Sequence, residues 1–129
     1  MSKPFDAATK RLVERDPLAW LAYVGLTGER AELIEADRII HVLLPEYLAH
    51  IELQATYQVN MGERVLLYNT LAFCKYKLPV QSVVILLQKE ADGPAMSGQA
   101  GYEVPQSSDG SLLINYRVVR VWEKIRRRF

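Results

Sequence analysis

Three polar side chains in the first half of the sequence are of the types that hold a metal ion. Asp37, Glu52 and Gln54 lie in two neighbouring segments of extended character. Glu52 and Gln54 are two residues apart, so their side chains share one face of a strand. Two carboxylates that lie close together repel each other unless a cation or a proton sits between them. A hard divalent ion with oxygen ligands, Mg²⁺ first and Mn²⁺ second, is therefore predicted between Asp37 and Glu52.

A β-hairpin is predicted to bring these residues together. Segment 37–44 is rich in β-branched residues, and segment 47–55 alternates between apolar and polar residues. Pro45, between the two, cannot supply a positive φ, which favours a four-residue loop over a two-residue primed turn. The apolar face of the second segment carries Ala49, Ile51 and Leu53, and its polar face carries His50, Glu52 and Gln54.

The register of this hairpin decides which residues meet. With an even-length loop centred after Pro45, Asp37 is predicted opposite Gln54 and Ile39 opposite Glu52. The side chains of Asp37, Glu52 and Gln54 then share one patch, with Cβ atoms within about 5–8 Å of one another.

Helices are predicted on either side of the hairpin. Residues 6–24 have a helical pattern that breaks at Pro17, with Asp16 as the N-cap of the second part. Residues 61–77 form the clearest helix, which Pro79 stops. This second helix is predicted to pack on the sheet through three residues, Leu67, Leu71 and Cys74. Its Arg64 and Tyr68, at i and i+4, share a face that is predicted to point towards the Glu52 end.

The rest of the chain predicts further strands. Segment 81–88 contains a continuous apolar run typical of a strand buried on both faces. Segment 89–110 is rich in Gly, Pro, Ser and Asp and is predicted to be a long loop or a partly formed hairpin, and segment 112–122 is predicted to be a strand. The fold class is therefore α/β, with a mixed central sheet flanked by helices.

Composition predicts one soluble domain over residues 1–129, with a basic tail at 124–129. Cys74 is the only cysteine, so an intrachain disulfide and a cysteine-based zinc cluster are excluded, and Cys74 itself is predicted to be buried. No signal-peptide core and no apolar run of about 20 residues is present, so we expect a cytoplasmic location and no membrane association.

The ordered set of motifs resembles the PD-(D/E)XK nuclease superfamily, and within it the recombination-promoting nuclease and transposase-like branch. The resemblance spans about residues 5–123. It is carried by Ala36-Asp37-Arg38, by Tyr47-Leu48-Ala49-His50-Ile51-Glu52-Leu53-Gln54, by Arg64-x-x-x-Tyr68-Asn69, by Leu78-Pro79-Val80, by Val83-Val84-Ile85-Leu86, by Lys89-Glu90-Ala91-Asp92-Gly93-Pro94 and by the late segment from Tyr116 to Glu123.

This resemblance implies a restriction-endonuclease-like core with the order α-β-β-β-α-β. It implies a Mg²⁺-dependent endonuclease that hydrolyses phosphodiester bonds of DNA, linked to DNA recombination or mobile elements. Asp37, Glu52 and the backbone carbonyl of Leu53 would be the metal ligands. Gln54 stands where the superfamily usually has lysine, so it can orient a water or a phosphate oxygen but supplies no positive charge. Apart from the resemblance, if the helix face that Arg64 and Tyr68 share lies beside the strands, Arg64 would contact the phosphate and Tyr68 would position the nucleotide.

Other interpretations stay open. Asp37 and Glu52 also suit two solvated carboxylates on a half-exposed hairpin, and Tyr68 in an apolar helix is by default a core residue. His50 is left outside the catalytic set, because a partly buried, hydrogen-bonded histidine explains it equally well. The alternatives to an enzyme are a catalytically decayed domain that binds nucleic acid or protein, and a structural oligomerisation module. A homodimer is likewise left open.

Overall fold

The chain folds around a five-stranded mixed β-sheet. A computed structural model describes residues 16–35 and 39–126. In chain order the elements are α1 (Pro17–Tyr23), β1 (Arg30–Glu35), β2 (Ile39–Leu43), β3 (Tyr47–Gln54), α2 (Met61–Tyr76), β4 (Val80–Leu86), a 3₁₀ turn (Lys89–Ala91), β5 (Gln99–Glu103), β6 (Ser111–Asn115), β7 (Arg117–Arg120) and α3 (Val121–Arg126).

The sheet combines antiparallel and parallel pairs in the order β1-β2-β3-β4-β7. The first three strands are antiparallel neighbours, whereas β3, β4 and β7 run parallel. The predicted α/β class with a mixed central sheet is therefore confirmed. The remaining strands, β5 and β6, form a separate antiparallel hairpin.

The predicted strand over 112–122 is wrong. The structure divides this segment between β6, β7 and the start of α3. The backbone amide of Tyr116, between β6 and β7, donates to the carbonyl of Gly98 instead of to a sheet neighbour. The chain therefore leaves the small hairpin at this residue and enters the main sheet one residue later.

The predicted register of the β2–β3 hairpin is also wrong, by two residues. Ile39 lies opposite His50, not Glu52, and the last pair before the loop is Val42 with Tyr47. Four residues therefore separate the closing pair, in agreement with the four-residue loop that Pro45 predicts. The loop is centred between Leu44 and Pro45, one residue earlier than predicted, and this moves every described pair by two positions. The shift is even, so the described side chains keep their predicted faces.

Both faces of the sheet are buried. One face packs under α1 with the residues Leu21, Val24, Ile40, Val42, Ala49, Ile51, Val83, Ile85 and Val119. The opposite face packs with residues of α2 and of the segment after β4, and includes Met61, Val65, Val84, Leu86, Ala91, Met96 and Tyr116. The continuous apolar run in β4 thus serves two cores, as predicted, because successive side chains alternate between the faces.

Helix α1 begins as its sequence predicts. The Asp16 carboxylate accepts a hydrogen bond of 3.1 Å from the backbone amide of Ala19, and Pro17 occupies the first helical turn. This cap satisfies one of the amides that a helix start leaves without an intrahelical partner. The earlier part of the predicted helix, residues 6–15, lies outside the described residues.

Helix α2 has the predicted length but packs through another side. Leu67, Leu71 and Cys74, the predicted packing residues, are all exposed. The helix is buried instead through three others, Met61, Val65 and Ala72. The reason lies in the sheet beneath, which presents polar side chains at this position, so the polar side of the helix turns towards it. None of the helices in the described residues is long and apolar enough to cross a membrane.

Candidate site on the buried polar face of β3

The polar face of β3 lies beneath α2 and is almost completely buried. His50, Glu52 and Gln54 are 0 %, 5 % and 9 % exposed, respectively. Side chains two apart on a strand are separated by about 6–7 Å, so the three form one short row. Their shared face is as predicted, but the interpretation as a solvated, half-exposed hairpin face is wrong for Glu52, because α2 covers it. Asp37 lies outside the described residues, so its place beside them stays a prediction.

Both oxygens of the Glu52 carboxylate are hydrogen-bonded. His50 Nε2 lies 3.0 Å from Oε2, and Arg64 Nη2 donates to Oε1 at 3.3 Å. A buried carboxylate is costly unless it is paired and hydrogen-bonded. These contacts from the same strand and from α2 therefore let a charge occupy the interior.

Arg64 points towards the Glu52 end of the site, as predicted, whereas the described ring contact of Tyr68 is with His50. The Arg64 side chain is 32 % exposed although it contacts a carboxylate that is only 5 % exposed, so the guanidinium connects the buried row to solvent. The Tyr68 ring is half-buried and lies 5.9 Å from the His50 ring at 44°. A tilted arrangement at this distance is favourable for aromatic pairs.

Among the described buried polar residues, Gln54 is the one whose side chain has no described hydrogen bond. Its backbone carbonyl accepts a hydrogen bond of 2.8 Å from Leu87, which fixes the strand at this point. Within the part of the chain that the structure describes, no residue hydrogen-bonds to its side-chain amide. An unpaired buried amide is costly, and in native proteins it usually meets a water, an ion or a ligand.

The backbone carbonyl of Leu53 points away from β4. The Gln54 carbonyl points towards β4, and carbonyls alternate along a strand, so the Leu53 carbonyl points to the opposite side. The described pairing of β3 with β2 ends at the pair of Ile39 with His50, so no described residue of β2 lies opposite Leu53. This is the carbonyl that the family resemblance implies as a metal ligand.

The donor types at this row suit Mg²⁺. Carboxylate, backbone carbonyl and side-chain amide oxygens are the hard ligands that this ion takes in proteins. Residues 16–35 and 39–126 contain no group of three or more His, Cys, Asp or Glu side chains arranged to hold a metal ion. The described donors are therefore of types that suit Mg²⁺, and a magnesium site at this row would need a further ligand, for which Asp37 is the predicted residue.

Two residues that sequence reasoning gave no role extend the row. Ser82 on β4, only 1 % exposed, pairs in register with His50, and its hydroxyl oxygen lies 2.8 Å from His50 Nδ1. Asn69 on α2 donates to this hydroxyl oxygen at 2.9 Å and to the carbonyl of Val80 at 3.1 Å. A serine directly before the buried apolar run of β4 was the available signal, because a buried hydroxyl needs a polar partner.

A hollow of about 430 Å³ adjoins the row. Its lining consists of Glu35, Ile39, His50, Tyr68, Leu71, Ala72 and Lys75. Glu35 is half-buried here and accepts hydrogen bonds from Lys75 Nζ at 3.1 Å and from the Tyr76 hydroxyl at 2.6 Å. The hydrogen bond from Tyr76 to the Glu35 carboxylate raises the pKa of the Tyr76 hydroxyl, because ionisation would bring two negative charges together.

Comparisons with known proteins add no relative. The chain matches no protein-family model, no curated protein and no solved structure. Its candidate site is therefore interpreted from its own residues.

Proposed function

We propose that this chain is a Mg²⁺-dependent DNA endonuclease domain of the PD-(D/E)XK type, with a restriction-endonuclease-like core. The observation that carries the proposal is the buried row on β3. The Glu52 carboxylate, which contacts His50 and Arg64, stands on one sheet face beside the Gln54 amide, to which no described residue hydrogen-bonds. The order of the described elements up to β4, a helix, three antiparallel strands, a helix and a parallel strand, is the order that the resemblance implies.

Each residue of the row has a role in this proposal. Asp37, Glu52 and the Leu53 carbonyl would hold the ion. Mg²⁺ bound there would supply a Lewis acid for the scissile phosphate and an acidified water. Gln54 would donate from its amide to a phosphate oxygen or orient the attacking water. Arg64, partly exposed, would move between the Glu52 carboxylate and the phosphate.

The test is Mg²⁺-dependent nicking of a supercoiled plasmid, with EDTA controls. We expect Gln54→Ala to lower the cleavage rate by about 10²–10³, because it removes one positioned polar contact from the transition state. Glu52→Ala should lower the rate further, since it removes an ion ligand, and Asp37→Ala should do the same. Gln54→Lys, which introduces the superfamily's usual residue, should keep or raise the rate.

Glu63→Ala is the matched control for these variants. Glu63 is an exposed carboxylate in the first turn of α2, outside the buried row. Its replacement should leave nicking unchanged. Nicking that survives in Glu52→Ala would assign the activity to another site or to a contaminant and would overturn the proposal.

A second candidate is a decayed nuclease-like domain that binds DNA without cutting it. The contacts of Glu52 with His50 and Arg64 favour this candidate, because they satisfy the carboxylate without an ion. If the chain is such a domain, wild type should bind DNA in a gel-shift experiment in the presence of EDTA. It should not nick DNA with either Mg²⁺ or Mn²⁺. An oligomerisation module would do neither.

A further inference from the structure

Four polar side chains form one continuous line through the interior, from α2 across β4 to β3. Asn69 Nδ2 is 2.9 Å from Ser82 Oγ, Ser82 Oγ is 2.8 Å from His50 Nδ1, and His50 Nε2 is 3.0 Å from Glu52 Oε2. The inner members, His50 and Ser82, are 0 % and 1 % exposed. Hydrogen bonds in such a dry environment have well-defined donors and acceptors, because water cannot replace a missing partner.

The direction of every hydrogen bond in this line follows from its first member. Asn69 Nδ2 faces the backbone carbonyl of Val80, which only accepts, so the side chain presents its NH₂ group and not its oxygen to this region. The same NH₂ group donates to Ser82, whose single hydroxyl proton is then directed to His50 Nδ1. His50 therefore accepts at Nδ1, carries its proton at Nε2 and donates to Glu52.

The reverse direction is unfavourable at both ends. With a proton on His50 Nδ1, the Ser82 hydroxyl oxygen would accept from both His50 and Asn69, and its own proton would have no acceptor among the described contacts. It would also turn the lone pair of Nε2 towards the Glu52 carboxylate, 3.0 Å away. Two acceptors at that distance repel, so the contact would be lost.

We propose that Asn69, Ser82 and His50 are positioning residues that fix the orientation of the Glu52 carboxylate. The line sets the Nε2–H tautomer of His50, and this donor holds Oε2 in one place. Because the carboxylate is planar, holding one oxygen sets the direction of the other. The part of this inference that concerns an ion rests on the proposed function, whereas the hydrogen-bond direction does not.

The direction is tested by NMR of protein labelled with ¹⁵N in its histidines. The chain has two histidines, and a His41→Gln variant identifies the signals of His50. In wild type we expect long-range ¹H–¹⁵N spectra to show the Nε2–H tautomer with a hydrogen-bonded Nδ1. In Ser82→Ala the Nδ1 signal should move to the position of an acceptor without a hydrogen bond. A wild type with the proton on Nδ1, or on both nitrogens, would overturn the proposal.

The positioning role is tested by Mn²⁺ affinity, measured by calorimetry on the full chain. Loss of a residue that orients a metal ligand typically weakens metal binding 10–100-fold. We therefore expect a loss of about tenfold or more in Ser82→Ala and in Asn69→Leu. Thr70→Ala is the matched control, because Thr70 is exposed on α2 and its hydroxyl donates to the backbone of its own helix.

The two proposals fail in different ways. If wild type binds Mn²⁺ and both variants bind it equally well, the positioning role is wrong and the proposed function stands. If wild type binds no Mn²⁺, the proposed function falls, together with the ion for which Glu52 is positioned. The NMR experiment then still decides the direction of the line. The same spectra show whether each variant is folded.

Discussion

At the scale of single residues, the buried charge of Glu52 is compensated by neighbours instead of by water. Its two oxygens are hydrogen-bonded to His50 of β3 and to Arg64 of α2. Compensation of this kind fixes geometry more than it adds stability, because desolvation offsets much of the electrostatic gain. The contacts thus hold the Glu52 carboxylate in one arrangement relative to His50 and Arg64.

A second ion pair, between Asp92 and Arg120, is more accessible to solvent. Arg120 Nε donates to Oδ2 at 2.8 Å and Arg120 Nη2 donates to Oδ1 at 3.1 Å. The hydrogen bonds from Arg120 lower the pKa of the Asp92 carboxyl, because they favour its charged form. The pair attaches the segment after the 3₁₀ turn to β7.

This pair predicts a pH-dependent contribution to stability. A carboxyl whose pKa is lower in the folded state stabilises the fold above its unfolded pKa of about 3.9, and this contribution is lost as the pH falls through the folded value. Asp92→Asn should therefore lower the free energy of unfolding by about 0.5–1 kcal/mol at pH 7 and by less at pH 3. Urea denaturation at both values measures it. Glu90→Gln, an exposed neighbour, is the control, and an equal loss at both pH values would contradict the prediction.

At the scale of elements, α2 turns its polar side inwards and leaves apolar residues outside. Leu67 and Leu71 are 53 % and 54 % exposed, whereas Met61 and Val65 are fully buried. The helix reaches the sheet over the row of His50, Glu52 and Gln54, so Arg64, Tyr68 and Asn69 are the residues that find partners there. The side of the helix that faces the sheet therefore combines its buried apolar residues with polar residues that have partners on the sheet.

This orientation predicts opposite outcomes for two substitutions on α2. Met61→Ala should lower the free energy of unfolding by about 2–5 kcal/mol, because it leaves a cavity in the core. Leu71→Ala should change it by only about 0.5 kcal/mol, because the side chain already contacts water. Chemical denaturation measures both. A large loss in Leu71→Ala together with a small one in Met61→Ala would favour the packing that the apolar pattern alone predicts.

At the scale of the whole molecule, stability is concentrated around β4. This strand has parallel neighbours on both sides, and its residues from Ser82 to Leu86 are buried. The β5–β6 hairpin forms its own two-stranded sheet and is largely exposed, including Tyr102 and Leu113. Two-stranded hairpins are only marginally stable alone, so the hairpin depends on its contacts with the rest of the chain.

Amide hydrogen exchange should reveal this difference directly. We expect amides of β4 to exchange slowest, at rates close to those of global unfolding, and amides of the β5–β6 hairpin to exchange at least about 100-fold faster. Mass spectrometry of peptic fragments measures both segments in one experiment. Equal protection of the two segments would mean that the hairpin unfolds only with the main sheet.

The sequence by itself determined the features that depend on local chemistry. The helix from Met61 to Tyr76, the doubly buried strand β4 and the alternating faces of β3 all agree with their patterns. Each follows from the period of one segment and from the turn residues beside it. The shared face of Glu52 and Gln54 is of the same kind, since two residues apart on one strand fixes it.

Tertiary structure decided which of these elements meet and through which side. The β2–β3 register depended on where the four-residue loop is centred. The side of α2 that packs depended on the sheet face beneath it, which residues distant in sequence form. The hydrogen bonds that connect Asn69, Ser82 and His50 join three elements, so the pattern of no single segment predicts them. These arrangements depend on the balance between two free-energy costs, that of burying a polar group without a partner and that of exposing an apolar group. Both costs depend on which residues meet in the folded chain.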